Sequence, residues 1–149
     1  MGLFGGRGRA RSRVSEASLC EEFGLTGRKV LLVEDNTLTR EIAAELLEEY
    51  GFEVTTVVNG AEALSAVESA EPGAINLILM DIRMPVMDGY EATRRIRALP
   101  QGAAIPIVAM TASAEPEDRQ AALDSGMNEH IAKPIDIDRL KEALVHFLG

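Results

Sequence analysis

The feature that most constrains this chain is a series of short, nearly uncharged apolar runs, each followed by a segment with helical spacing. Val30-Leu31-Leu32-Val33 is the first. A run of that length with no polar alternation is buried on both faces, as in the middle of a parallel sheet. Leu38, Ile42, Leu46 and Leu47 follow at the spacing of one helical face, and Gly51 stops the pattern. The alternation then repeats. Phe52 to Val58 reads as a strand and Ala61 to Ala70 as a helix. Ile75 to Met80 is a strand, apolar but for Asn76, and Tyr90 to Leu99 a helix halted by Pro100. Ile105 to Met110 is a strand whose Pro106 lies near its start, and Glu115 to Ser125 a helix with Gly126 just beyond it. Ile131-Ala132 marks a short fifth strand. The last helix sets Ile137, Leu140, Leu144 and Phe147 on one face, with Asp136 as its N-cap. Five strands alternating with five helices predict an α/β domain, a parallel sheet with right-handed crossovers and helices on both faces.

That pattern fills residues 28–149 and is read as one domain, with no length left for a second. Residues 1–27 are read as a flexible tail or interdomain linker, within which Glu16 to Phe23 has the makings of a short helix. Net charge is −9, unevenly spread. Residues 1–28 hold five arginines against three glutamates, a balance of +2. The remainder holds ten Lys or Arg against twenty-one Asp or Glu, a balance of −11. So acidic a domain is a poor nucleic-acid partner. Arg7, Arg9, Arg11 and Arg13 read as a solvated stretch. No apolar run reaches the roughly 20 residues of a membrane span. The N-terminus has neither a secretory apolar core nor the Ser or Thr of a myristoylation signal, since Gly6 stands there. One cysteine, Cys20, excludes an intrachain disulfide framework and suits a cytoplasmic protein.

In an open α/β sheet, ligands sit beyond the carboxyl ends of the strands. At those ends stand Glu34-Asp35, Asp81, Thr111 and Lys133-Pro134. Carboxylates gathered at one edge raise one another's pKa, and a hard cation relieves the repulsion. Mg²⁺, or Mn²⁺, suits an all-oxygen set. A carboxylate so supported can attack a phosphoryl group, whose oxygens then want a cation and a hydroxyl donor, for which Lys133 and Thr111 are available. Each residue alone has a plainer reading: Glu34-Asp35 as a helix cap, Thr111 as a loop hydroxyl, Lys133 as a surface lysine. Their arrival at matching strand ends favours the chemical one. Met84 and Met87 read as loop packing rather than a copper pair, Asp88-Gly89 as the turn into the third helix, and His146 as a helix surface residue.

The chain resembles the receiver domains of two-component signalling, of the kind found in hybrid sensor kinases and single-domain regulators. The resemblance covers about residues 28–149. It rests on Val30-Leu31-Leu32-Val33-Glu34-Asp35-Asn36, on Met80-Asp81-Ile82-Arg83-Met84-Pro85-Val86-Met87-Asp88-Gly89 and its continuation to Arg97, on Ala109-Met110-Thr111-Ala112, and on Ile131-Ala132-Lys133-Pro134. It implies a flavodoxin-like (βα)5 sandwich with strand order 2-1-3-4-5. Asp81 is then the phosphoacceptor, and Glu34, Asp35, Asp81 and the backbone carbonyl of Arg83 are metal ligands. Thr111 and Lys133 contact the phosphoryl group, and a cis peptide precedes Pro134. His130 takes the switch position that more often holds Tyr or Phe, while Arg83 and Ser113 flank the site where dephosphorylation is tuned. Implied partners are a histidine kinase or a histidine phosphotransfer protein, and a homodimer is compatible with the pattern. Such a domain catalyses only its own phosphorylation and dephosphorylation. Two competitors remain. A pseudo-receiver would bind partners without phosphorylation, although the acceptor set is complete. An aspartyl phosphohydrolase would need a second Asp where Arg83 stands. A flavodoxin-type cofactor binder lacks its phosphate loop after the first strand.

Overall fold

The computed structural model describes residues 18–112, 115–133 and 135–149. Its strands are β1 (Lys29–Val33), β2 (Glu53–Val57), β3 (Leu77–Asp81), β4 (Ile107–Thr111) and β5 (Glu129–Ala132). All pair in parallel in the order β2-β1-β3-β4-β5, as expected. The helices are α1 (Leu19–Phe23), α2 (Thr37–Tyr50), α3 (Gly60–Glu68), α4 (Gly89–Arg97), α5 (Pro116–Ser125) and α6 (Ile137–Leu148). A 3₁₀ turn at Pro100–Gly102 follows α4.

Side chains alternate across the sheet because strand residues point to opposite faces in turn. Leu32, Leu79 and Met110 belong to the core under α1, α2 and α6, with Ala43, Leu47, Leu140 and Leu144. Leu31, Ile78, Met80 and Ile107 belong to the core under α3, α4 and α5, with Ala63, Val67, Ala92 and Ile96. Every residue of β3 and β4 is buried, which is why those stretches carry almost no polar alternation. Caps bound the helices at Gly126 and Asp136 as the sequence predicts, and Asp88, in the expected turn, caps a third. Asp88 accepts from the Glu91 amide at α4, Gly126 closes α5 in the left-handed conformation, and Asp136 accepts from Asp138 and Arg139 at α6.

Two expectations differ from the structure. The packed core reaches upstream of residue 28: the short helix expected within Glu16 to Phe23 forms as α1, opened by a capping box between Ser18 and Glu21, and packs on the domain instead of belonging to a free tail. Its Cys20, and Leu25 just beyond it, are fully buried with Leu47 and Phe52. Residues 18–27 therefore pack on the domain, while 1–17 lie outside the described residues. Leu25→Ala is expected to cost about 2–4 kcal/mol, the usual loss for emptying a buried leucine site. Urea unfolding checks this, and a change below about 0.5 kcal/mol would refute it. Second, Leu38, Ile42 and Ile137 do not face the core. They are 66%, 58% and 47% exposed. Helix α2 turns Ala43 and Leu47 inward instead, and α6 uses Leu140, Ala143, Leu144 and Leu148.

Candidate functional site

Sheet register alone brings the chemistry together. Val33 pairs with Met80, so Glu34 follows β1 beside Asp81, the last residue of β3. Asp81 pairs with Met110 and Thr111 with Ala132, which puts the Thr111 and Lys133 chain segments next along the same edge. The Lys133 amide donates to the Thr111 carbonyl at 2.7 Å. Lys133 Nζ then reaches across the sheet end. It donates to Glu34 Oε1 at 2.6 Å and lies 3.2 Å from Asp81 Oδ1. Glu34 is 1% exposed, Asp81 and Thr111 are buried, and Asp35 is exposed.

Burial, then the Glu34 carboxylate, push Asp81 up to about 6, against the opposing pull of Lys133. Burial works to depress the Lys133 ammonium, but the Glu34 hydrogen bond and the Asp81 charge hold it above its ordinary value. Glu34, Asp35 and Asp81 each offer an oxygen, and the three atoms lie within 4.8 Å of one another. Three oxygens so close, one on a carboxyl that resists ionising, could hold a small hard dication, and one lysine offsets only part of their charge.

Two contributors had no clear signal in the sequence. The Asn36 amide donates to Glu34 Oε2 at 3.0 Å, and Arg40 Nη1 donates to the Glu34 carbonyl at 2.9 Å. Both hold Glu34 from the start of α2, whose N-cap is Asn36 rather than the acidic pair. The Asn36 donor is a backbone amide, which residue type does not reveal, and the Arg40 reach depends on the turn between strand and helix. Arg83 lies exposed in the loop after β3, Met84 is buried, and Met87 is partly buried against the core. His130 stands in β5 with its ring largely buried, and its Nδ1 makes no hydrogen bond among the described residues. Ser113 and Pro134, and with Pro134 the expected cis peptide, lie outside the described residues.

The sequence profile of the response regulator receiver domain matches residues 30–145. The chain belongs to that family. Over 83% of its length this receiver domain superposes on 99% of the receiver domain of sensor histidine kinase PA1611 from Pseudomonas aeruginosa, with 40% identity and a TM-score of 0.76. That structure holds a magnesium ion coordinated in its active site cleft. It is also similar, at 28% identity and a TM-score of 0.75, to the receiver domain of Saccharomyces cerevisiae Ssk1 crystallised with the histidine phosphotransfer protein Ypd1. Among curated sequences, an uncharacterized 14.6 kDa protein of Leptolyngbya boryana is 45% identical over 72% of this chain and 79% of that protein. Sensor histidine kinase RcsC of Salmonella typhi is 38% identical over 77% of this chain, which spans only 12% of that kinase. Among the described residues no helix is long and apolar enough to cross a membrane.

Proposed function

We propose that this receiver domain takes a phosphoryl group from a phosphohistidine onto Asp81 and passes the event on as a change of conformation. The observation that carries the reading is Asp81 itself, buried at the sheet edge between Glu34 and Lys133 with Thr111 on the neighbouring strand. An Asp81 carboxylate oxygen attacks phosphorus in line. The phosphorus–nitrogen bond breaks, and its electron pair stays on the departing nitrogen of the donor, which leaves as neutral imidazole because its other ring nitrogen carries a proton. Lys133, already 3.2 Å from Asp81, is placed to hold a phosphoryl oxygen, and the Thr111 hydroxyl to turn towards another. Glu34, Asp35, Asp81 and the Arg83 carbonyl would hold Mg²⁺ or Mn²⁺, which when bound supplies neutralisation of the phosphoryl and carboxylate charge. The switch runs from Thr111 to the His130 ring, biasing a pre-existing equilibrium that α5, β5 and α6 present to a downstream target. No separate substrate is turned over. We place this exchange in the cytoplasm, in keeping with the lone, buried Cys20.

The exposed apolar residues support a protein donor. Ile42, Leu46, Ile135 and Ile137 line a groove of about 310 Å³ between α2 and the start of α6, and Lys133 lines it as well. An apolar patch that ends on the site suits a helix of a histidine phosphotransfer protein, delivering its phosphohistidine to Asp81. Ile42→Glu is expected to slow transfer from a phosphorylated histidine phosphotransfer protein at least tenfold, through burial of a charge, roughly 1.4 kcal/mol or more. Phosphorylation by acetyl phosphate should keep its wild-type rate. Equal slowing with both donors would count against docking there.

The reading as a whole is tested by intact mass after incubation with acetyl phosphate and Mg²⁺. One added phosphoryl group, absent when EDTA replaces the metal, is expected. Absence of both the adduct and beryllofluoride binding would leave a phosphorylation-independent binding module on the same fold.

A further inference from the structure

The loop after Asp81 is gripped at both ends by contacts with no space for a side chain. At one end the Gly89 amide donates to the Ile82 carbonyl at 2.8 Å, and a Cβ on Gly89 would stand 2.5 Å from the Asp81 carbonyl oxygen. At the other end the grip comes from a different part of the chain. Gly60, the first residue of α3, donates its amide to the Met87 carbonyl at 3.0 Å. A Cβ there would lie 2.5 Å from that same oxygen, 2.9 Å from Ala92 Cβ and 3.0 Å from the Asp88 carbonyl. Two of those three neighbours are backbone, which cannot rotate away as a side-chain tip can. Between the grips sits Val86, 85% exposed and at φ +72°, the only non-glycine residue with positive φ among those described. A β-branched residue keeps that conformation only where its surroundings over-determine it.

We propose that Gly60 is a positioning residue for the acceptor site. It lets α3 close onto the Met87 carbonyl, and so sets the seat of residues 82–88 and of the Arg83 carbonyl that follows Asp81. The proposal rests on the Mg²⁺ reading given above. Adding one methyl group at Gly60 must push the 87–88 backbone, and the loop then transmits the movement towards Arg83. A site that demands near-octahedral oxygens is sensitive to such a shift.

The test compares Gly60→Ala with Gly102→Ala. Gly102 is packed just as tightly, with a Cβ that would run into the Ile96 carbonyl, but it sits in the turn after α4, before β4 begins. Isothermal titration of each folded protein with MgCl₂ is expected to show Kd raised tenfold or more by G60A and within twofold of wild type for G102A, while both lower Tm. In ¹⁵N-labelled wild type, the Gly60 amide resonance should move on adding MgCl₂ and the Gly102 resonance should not. That arm needs no variant to fold. Wild-type protein that binds no Mg²⁺ would overturn the metal reading together with this inference. Wild-type binding with an unmoved Gly60 resonance, or with an unchanged Kd in folded G60A, would overturn the inference alone.

Discussion

Asp81→Asn is expected to abolish the phosphoryl adduct completely and, above pH 6 without metal, to make the domain more stable than wild type. The first effect follows from chemistry, since a carboxamide cannot form the acyl phosphate. The second follows from where Asp81 sits. Burial and Glu34 raise its carboxyl to about 6 in the folded protein, against about 3.9 in an unfolded chain. Below about pH 4 both states carry the proton and Asp81 costs nothing. Between about pH 4 and 6 the unfolded chain ionises first, so folding weakens as pH rises, and above 6 the deficit is complete. The gap corresponds to at most about 3 kcal/mol, and a gain of about 1–3 kcal/mol is expected for Asn at pH 8. The Lys133–Glu34 pair at 2.6 Å survives the change, so no buried charge is newly orphaned. Urea unfolding of both proteins in EDTA at pH 8 and pH 4.5 measures it. A variant less stable at pH 8, or a difference that fails to shrink at pH 4.5, would show that Asp81 is not strained by its neighbours. The expected gain would instead mark the acceptor as a residue the domain keeps ionised at a cost in stability because its reactivity depends on it.

The opposite sign is expected at Lys133. Lys133→Ala removes the one cation paired with both the Glu34 and Asp81 carboxylates among the described residues and leaves those two buried carboxylates facing each other. Removing one partner of a buried pair typically costs about 3–5 kcal/mol. Water can enter beside an alanine, so roughly 3 kcal/mol is expected in EDTA. Much of that should return in millimolar Mg²⁺, because a dication supplies the charge the lysine supplied. Mg²⁺ should also bind the variant more tightly than wild type, since Glu34 Oε1 is no longer held by the ammonium group. Urea unfolding with and without Mg²⁺, beside a calorimetric titration, reads both effects. A K133A protein as stable as wild type in EDTA would mean that Glu34 and Asp81 accept a shared proton instead. An Mg²⁺ affinity unchanged by the substitution would mean that lysine and metal do not compete for Glu34. The two variants together separate a site strained by excess negative charge from one that is merely buried.

The residues themselves show which parts of this protein are written locally. Strands β1, β3 and β4 were legible because a stretch buried on both faces admits almost no polar residue, and Val30–Val33 and Leu77–Met80 admit none. The caps at Gly126 and Asp136 were legible because both satisfy helix ends through neighbours only a few residues away. The gathering of Glu34, Asp81, Thr111 and Lys133 at one edge also followed, since parallel strands joined by helices all end on the same side, whereas the strand order came from the resemblance to receiver domains. The tertiary structure decided what depends on contacts distant in sequence. Leu38, Ile42 and Ile137 have the spacing of a core face, but the sheet meets only one side of each helix, and the direction in which α2 and α6 settle left these three in solvent. Cys20 and Leu25 became core only because they pack with Leu47 and Phe52 from segments much later in the chain. The Lys133 bond to Glu34 spans 99 residues, and the closeness of Gly60 to Met87 joins two helices' approaches to one loop. Periodicity records which residues avoid water, and that is enough for the elements. It does not record which element covers which, because packing is decided by all the surfaces together.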